Sequence, residues 1–322
     1  MTTAQPAGSQ FPADSSEQGA RASGRAAHDA AMPDARSLHL GRWIISLTLL
    51  VLGILFVRTI ANTPTLDWSV VGQYLFDPSI LSGVKNTIII TLISQAIGVV
   101  GGLVLALCRL SANPMLRSGA SGYIWFFRGV PVLVQLIFWF NLGLVVPEVT
   151  LNLPFSDQAL VWSTNSLITA FVAVLLGLGL NEMAYMAEII RGGLLGVPIG
   201  QREAASSLGM TPLQTLRKVV LPQAVRLIVP ATSNQLIIML KISALASVIT
   251  YQDLLTSAQL ISSVNLRVLE LLIVASIWYV ALTTLCTIGQ SALEKRLGRS
   301  SVVVARPARR IRTGRLTKGD VR

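Results

Sequence analysis

Long apolar stretches without charged residues recur along the chain, and short polar segments separate them. Six of these stretches approach the ~20 residues that an α-helix needs to cross a bilayer. They cover residues 43–57, 86–108, 129–147, 158–181, 227–252 and 271–293, the fifth interrupted by Lys241. Strands would instead show alternation over shorter runs. The pattern therefore predicts an all-α, polytopic membrane protein with six transmembrane helices.

The basic residues fall on alternate sides of these predicted spans. Segments 61–83, 148–166 and 250–266 contain no Lys or Arg, whereas the alternate segments hold 21 of the 26. Because Lys and Arg accumulate in cytoplasmic loops, this bias places both termini in the cytoplasm.

The two ends of the chain differ in composition from its middle. Residues 1–42 carry no net charge and no apolar period, which predicts a disordered cytoplasmic tail. Residues 43–61 are expected to form an extra first transmembrane helix. Residues 296–322 are expected to form a basic cytoplasmic tail. This tail could lie against anionic lipid headgroups, or its charge could serve only to fix the topology of the chain.

Composition excludes several classes of protein. The chain is 52% hydrophobic and 13% charged, too little charge for the surface of a soluble enzyme. Its basic excess lies in the C-terminal tail, whereas a nucleic-acid partner would need a folded basic face. Cys108 and Cys286 lie in separate apolar runs, and His28 and His39 in the N-terminal segment. We therefore predict no metal site and no cofactor.

The longest polar insertion, residues 188–226, contains several residues that typically start or end a helix. Residues 201–208 favour a short helix whose small residues, 204–207, are expected to be exposed. Gly209 suits a left-handed position after that helix, and Thr211 suits an N-cap before Pro212. Pro222 should stop or kink the second helix. The sequence thus predicts a helix, a glycine turn and a second helix on the cytoplasmic surface.

This insertion also carries a spaced motif, Glu203-Ala204-Ala205, three residues, Gly209, nine residues, Val219, one residue and Leu221-Pro222. The motif resembles the EAA loop of ABC importer permeases, with Val in place of Ile. The segments 127–131, 184–193, 200–201 and 222–224 resemble the polar amino acid branch of these permeases, and the likeness covers about residues 80–295.

The resemblance implies a type I importer subunit of the bacterial inner membrane, with a five-helix core. It implies two ABC ATPase subunits bound at the loop, a second permease subunit, an extracytoplasmic solute-binding protein and an amino acid substrate. The sequence contains no GxxxxGK[ST] motif, so ATP hydrolysis is expected in a partner and the chain itself is not expected to be an enzyme.

Polar residues inside predicted spans are candidates for the substrate pathway, because a charge in the bilayer needs a partner or a wet cavity. An amino acid substrate needs a carboxylate for its ammonium group and a cation for its carboxylate. Glu182 suits the first role and Lys241 or Arg128 the second, with Asn234 nearby along the chain. Each charge could instead serve structure alone, as a snorkelling or interhelical group.

Two other functions remain open on the sequence. An ion-coupled secondary transporter would need an intramembrane carboxylate, which Glu182 could supply, and paired repeats, which we do not find. A non-transporting membrane scaffold could recruit partners through the loop and the basic tail.

Close packing is expected at Gly98, Gly101 and Gly102, which lie on one predicted helix.

Overall fold

The computed structural model describes residues 39–62, 66–152 and 159–298, and within these ranges it is mostly helical. The α-helices are α1 (His39–Ala61), α2 (Trp68–Tyr74), α3 (Pro78–Leu110), α4 (Pro114–Gly129), α5 (Val132–Phe140), α6 (Leu142–Val145), α7 (Thr164–Leu167), α8 (Ala170–Leu195), α9 (Ile199–Ser207), α10 (Pro212–Thr215), α11 (Leu221–Ile242), α12 (Leu254–Asn265) and α13 (Val268–Gly298). A π-helical segment, Leu216–Val220, precedes α11, and a 3₁₀ segment, Ser243–Ile249, follows it.

Four helical segments in the described ranges are long and apolar enough to cross a membrane. They are Pro78–Leu110, Ala170–Leu195, Pro212–Ile249 and Val268–Leu297. The bent pair α4–α5 makes a fifth if it is counted as one span. The apolar part of α1, Trp43–Leu55, is shorter than these segments and does not reach the length of a span. The helical, membrane-type fold is confirmed, whereas the count of six spans is not.

The chain divides into two compact units, one ending at Leu66 and one starting at Asp67. The first contains α1, whose described side chains are exposed along its apolar run, including Trp43 at 73%. The second contains all the elements discussed below. The predicted tails, residues 1–42 and 296–322, lie mostly outside the described residues.

The predicted third span, residues 129–147, is wrong as a single helix, because it contains the separate helices α5 and α6. Before it the chain breaks at Val130 and Pro131, where α4 and α5 meet at an angle of 97°. Proline lacks the N–H that would continue the α4 ladder, so carbonyls at the end of α4 need other donors. Gln135 Nε2 donates to the carbonyls of Phe127 and Val130 at 3.1 and 2.9 Å, and Asn181 Nδ2 donates to that of Phe127 at 2.6 Å.

The predicted fourth span, residues 158–181, is displaced along the sequence. Residues Ala159–Ser163 form β2, which pairs antiparallel with β1, Glu148–Asn152. The strands contain the β-branched or aromatic residues Val149, Thr150, Val161 and Trp162, which favour an extended backbone over a helix. The helix α8 begins only at Ala170, where Thr169 caps it by accepting from the Val172 amide at 3.4 Å.

Helices α3 and α8 pack closely through the glycines of α3, as the sequence predicted. A Cβ built on Gly98 would lie 2.9 Å from Glu182 Cβ, and one on Gly102 would lie 2.6 Å from Met186 Cβ. Larger residues at these two positions would therefore push the helices apart. This contact holds Glu182 and the C-terminal half of α8 in place.

Asp253, at the start of α12, is fully buried. Its carboxylate accepts from the Thr256 amide at 2.9 Å and from the Tyr279 hydroxyl at 3.3 Å, so it caps α12 and ties it to α13. Burial raises the pKa of the Asp253 carboxyl above its ordinary value, and the bonds from Thr256 and Tyr279 act in the opposite direction.

Candidate functional site

The insertion after α8 begins with the short helix α9, Ile199–Ser207, and Gly209 forms the turn that follows this helix. Gly209 has φ +73°, the left-handed conformation expected after a helix, and its amide donates to the Ser206 carbonyl at 2.9 Å. The Met210 amide donates to the Ala205 carbonyl at 3.1 Å. The predicted glycine turn is therefore present.

A capping box starts the next helical segment. The Thr211 hydroxyl accepts from the Gln214 amide at 3.3 Å, and the Gln214 side chain accepts from the Thr211 amide at 3.0 Å. Pro212 occupies the first turn, where its missing N–H costs nothing. The predicted N-cap at Thr211 is thus present.

Pro222 does not stop this helix. The chain runs on from Pro212 to Ile249 because the turn before the proline widens into the π-helical segment Leu216–Val220. The Leu221 amide donates to the Leu216 carbonyl, five residues back. A widened turn accommodates the proline ring that an α-helical turn would exclude. The loop is therefore mechanically continuous with α11.

One side of α9 is exposed, and it differs from the predicted set of small residues. Glu203 and three of the four predicted small residues, Ala204, Ser206 and Ser207, are exposed, and Leu208 just beyond them is 82% exposed. Ala205 was expected at this surface but is 3% exposed, because α9 packs its other side against α10 and the π-helical segment.

A side-chain hydrogen bond joins α9 to the end of α8. Arg202 Nη2 donates to the Leu194 carbonyl at 2.6 Å. Glu188 forms ion pairs with Arg191 on its own helix, at 2.8 Å, and with Arg109 at the end of α3. The bond from Arg202 therefore joins α9 to α8, and the ion pair of Glu188 with Arg109 joins α8 to α3.

Glu182 lies in the middle of α8 and is 1% exposed. Its Oε2 accepts from Gln235 Nε2 of α11 at 3.0 Å, while its Oε1 has no hydrogen-bond partner among the described residues. The side chain thus links α8 to α11 and keeps one acceptor free.

Arg128 lies at the end of α4, with its guanidinium 5.3 Å from the centre of the Tyr185 ring. This distance suits a cation–π contact. In the described parts of the chain no hydrogen bond or ion pair joins Arg128, Glu182 and Lys241 to one another, so one chain does not assemble the expected pair of opposite charges.

Asn234 and Lys241 are exposed on α11, seven residues apart and therefore on one face of the helix. An exposed ammonium and amide on a spanning helix would be costly against lipid.

Gln135 is a polar residue that sequence reasoning missed. Its signal was a single amide in the apolar run of residues 132–140.

Residues 98–299 match the family model described as "Binding-protein-dependent transport system inner membrane component". The arginine transport system permease protein ArgU of Corynebacterium glutamicum is 39% identical over 82% of this chain and 82% of its own length. The chain belongs to the family of amino acid ABC transporter permeases.

Other members of the family support this assignment along most of the chain. The probable amino-acid permease protein YxeN of Bacillus subtilis is 33% identical over 73% of this permease and 97% of its own length. A crystal structure of an amino acid ABC transporter with histidines superposes with a TM-score of 0.62 at 37% identity, covering 72% of this permease and 99% of that chain.

Proposed function

We propose that this chain forms half of the translocation pathway of an ATP-driven importer for a polar amino acid or a close derivative. Its partners would be two ABC ATPase subunits, a second permease subunit of the same or a related sequence, and an extracytoplasmic solute-binding protein. The importer would lie in the bacterial inner membrane with both termini of this chain in the cytoplasm. The exposed face of α9, ended by Gly209, carries the proposal.

The geometry of α9 suits a helix that seats in a groove of a separate ATPase subunit. Ala204 and Ser207 have short side chains, so the partner surface can approach the helix backbone closely. Glu203 offers a carboxylate to a basic partner group. Leu208 adds an apolar contact that is 82% exposed in the single chain. Leu221 and Pro222 continue the same segment into α11.

Motion of the ATPases would reach the membrane through two rigid routes. Arg202 ties α9 to the end of α8 through the Leu194 carbonyl. The continuous helix from Pro212 ties the other end of the loop to α11. Rigid-body movement of α9 would therefore turn α8 and α11 together, which is the kind of movement that alternating access requires.

The face of α11 that carries Asn234 and Lys241 is the proposed wall of the pathway. A polar face on a spanning helix is stable when it meets water or a second subunit instead of lipid. Lys241 would face the substrate carboxylate. Glu182 would act from behind this wall, since it holds Gln235 of α11. Arg128 remains a proposed pathway residue at the end of α4.

The coupling role is tested by charge reversal in the reconstituted transporter. Glu203→Lys should leave membrane insertion intact but uncouple ATP hydrolysis from uptake, because it repels a basic partner group. Glu294→Lys is the matched control, since Glu294 is an exposed carboxylate on α13 outside the loop. Equal, normal uptake by both variants would refute the coupling role.

The substrate is tested separately, by titrating the solute-binding protein with amino acids and measuring uptake. Arginine and histidine are the first to test, because the ArgU relative is named for arginine and the similar crystal structure contains histidines. Glu182→Gln and Lys241→Met should each lower uptake while solute binding to the receptor is unchanged. Uptake that survives removal of ATP would instead favour an ion-coupled transporter.

A further inference from the structure

A cluster of arginines lies where the ends of three helices meet. Arg109 is in the last turn of α3, Arg117 in the first turn of α4, and Arg191 near the end of α8. Together with Ser118 and Ser121 they line an open cavity of about 530 Å³. Guanidinium and hydroxyl groups in one concave site suit an anion with several oxygen acceptors.

The charges of this cavity are incompletely neutralised. Glu188 is a single carboxylate shared by Arg109 and Arg191, whose side chains remain 31% and 30% exposed. Within the described residues, the guanidinium of Arg117 makes no ion pair or hydrogen bond. The ion pairs with Glu188 already hold two of the guanidinium groups in place. Binding of an anion would therefore cost these arginine side chains little further entropy.

A second cavity, of about 400 Å³, adjoins the first and shares Arg109 and Ser121 with it. Its lining also includes Arg128 and Glu188, and Trp125 at its outer edge is 78% exposed. A polar cavity bordered by an exposed indole ring fits an amphiphile with an anionic head. A free phosphate ion would use the polar cavity alone.

The position of α4 agrees with a site at the membrane surface. This helix turns by 97° into α5, and it presents Arg117 and Ser121 on the side that lines the cavity. Met115, near its start, is 82% exposed. A helix with a basic side and exposed apolar residues is typical of the interface between headgroups and acyl chains.

We propose that Arg109, Arg117 and Arg191 bind the phosphate of an anionic phospholipid in the leaflet on the side of α9. The bound headgroup would bridge α3, α4 and α8, and would hold α4 against the other two helices. The acyl chain would lie along Trp125, whose ring is exposed. The three arginines are not among the proposed pathway or loop residues, and only Arg128, which lines the second cavity, belongs to both proposals. Either proposal can therefore fail alone.

The test compares lipid binding by the purified full-length chain and two variants in detergent, using native mass spectrometry with phosphatidylglycerol and phosphatidylcholine. Arg117→Gln should weaken phosphatidylglycerol binding by roughly tenfold, as expected for losing one charge-assisted contact. Arg217→Gln, at an exposed arginine of the π-helical segment that lines neither cavity, is the control and should bind nearly as the unmodified chain does. Arg117→Lys should keep more of the affinity than the Gln variant.

Three results would overturn the proposal. Equal losses in Arg117→Gln and Arg217→Gln would mean general surface attraction. Equal binding of the zwitterionic and anionic lipids would remove the role of headgroup charge. A third arm adds inorganic phosphate and measures thermal melting, and stabilisation by phosphate equal to that by phosphatidylglycerol would assign the cavity to a free ion. Gel filtration of each variant checks that it is folded.

Discussion

Gly209 offers a graded test of the loop, because its environment separates backbone strain from crowding. Its φ is +73°, and a Cβ built on it meets no atom within 4 Å. A substitution therefore costs only the left-handed conformation, about 1–2 kcal/mol for an ordinary L-residue. Since 1.4 kcal/mol is a factor of about ten, Gly209→Ala should lower the equilibrium constant for forming the native turn by roughly tenfold.

The series Gly209→Asn, Gly209→Ala and Gly209→Val should show increasing uncoupling. Asn tolerates the left-handed region best, and a β-branched residue tolerates it worst. The assay is solute-dependent ATP hydrolysis and uptake in proteoliposomes, with membrane insertion measured alongside. Normal coupling in the Val variant, or equal defects in the Asn and Val variants, would refute the reasoning.

Three further changes probe the fold. Gly102→Ala should lower the melting temperature because its Cβ would press on α8, at a cost of about 1–3 kcal/mol, whereas Gly289→Ala meets open space and should be neutral or stabilising. Asn181→Leu should cost about 1–2 kcal/mol by removing a donor from the Phe127 carbonyl, measured by chemical or thermal unfolding. Because folding raises the pKa of Asp253, its contribution to stability is present in acid and is lost as the pH rises through the raised pKa. Asp253→Asn should flatten this pH dependence of melting, and an unchanged slope would contradict it.

The loop was predictable because its structure depends on local chemistry. A left-handed glycine and a hydroxyl cap at Thr211 act within a few residues, so the sequence alone indicates them. The long spans were predictable from apolar length, since lipid offers no partner for an unsatisfied backbone. The close approach of α3 and α8 was visible in the spacing of Gly98 and Gly102.

The errors arose where distant residues decide the outcome. The break at Pro131 is stable because Gln135 and Asn181 supply donors to the exposed carbonyls, and no local pattern reveals that pairing. The strand β2, Ala159–Ser163, is apolar enough by composition to have been included in the predicted fourth span. The burial of Ala205 depends on which side of α9 the π-helical segment covers, which the spacing of the motif does not contain.

Cysteine cross-linking between α9 and the ATPase subunit tests the central claim most directly. The two native cysteines, Cys108 and Cys286, would first be replaced by serine, and Ala204→Cys would be compared with Arg296→Cys in the assembled transporter. The account predicts that position 204 cross-links to the ATPase and that position 296 does not. A position 204 that stays open to a soluble thiol reagent while the ATPase is bound and hydrolysing ATP would contradict it.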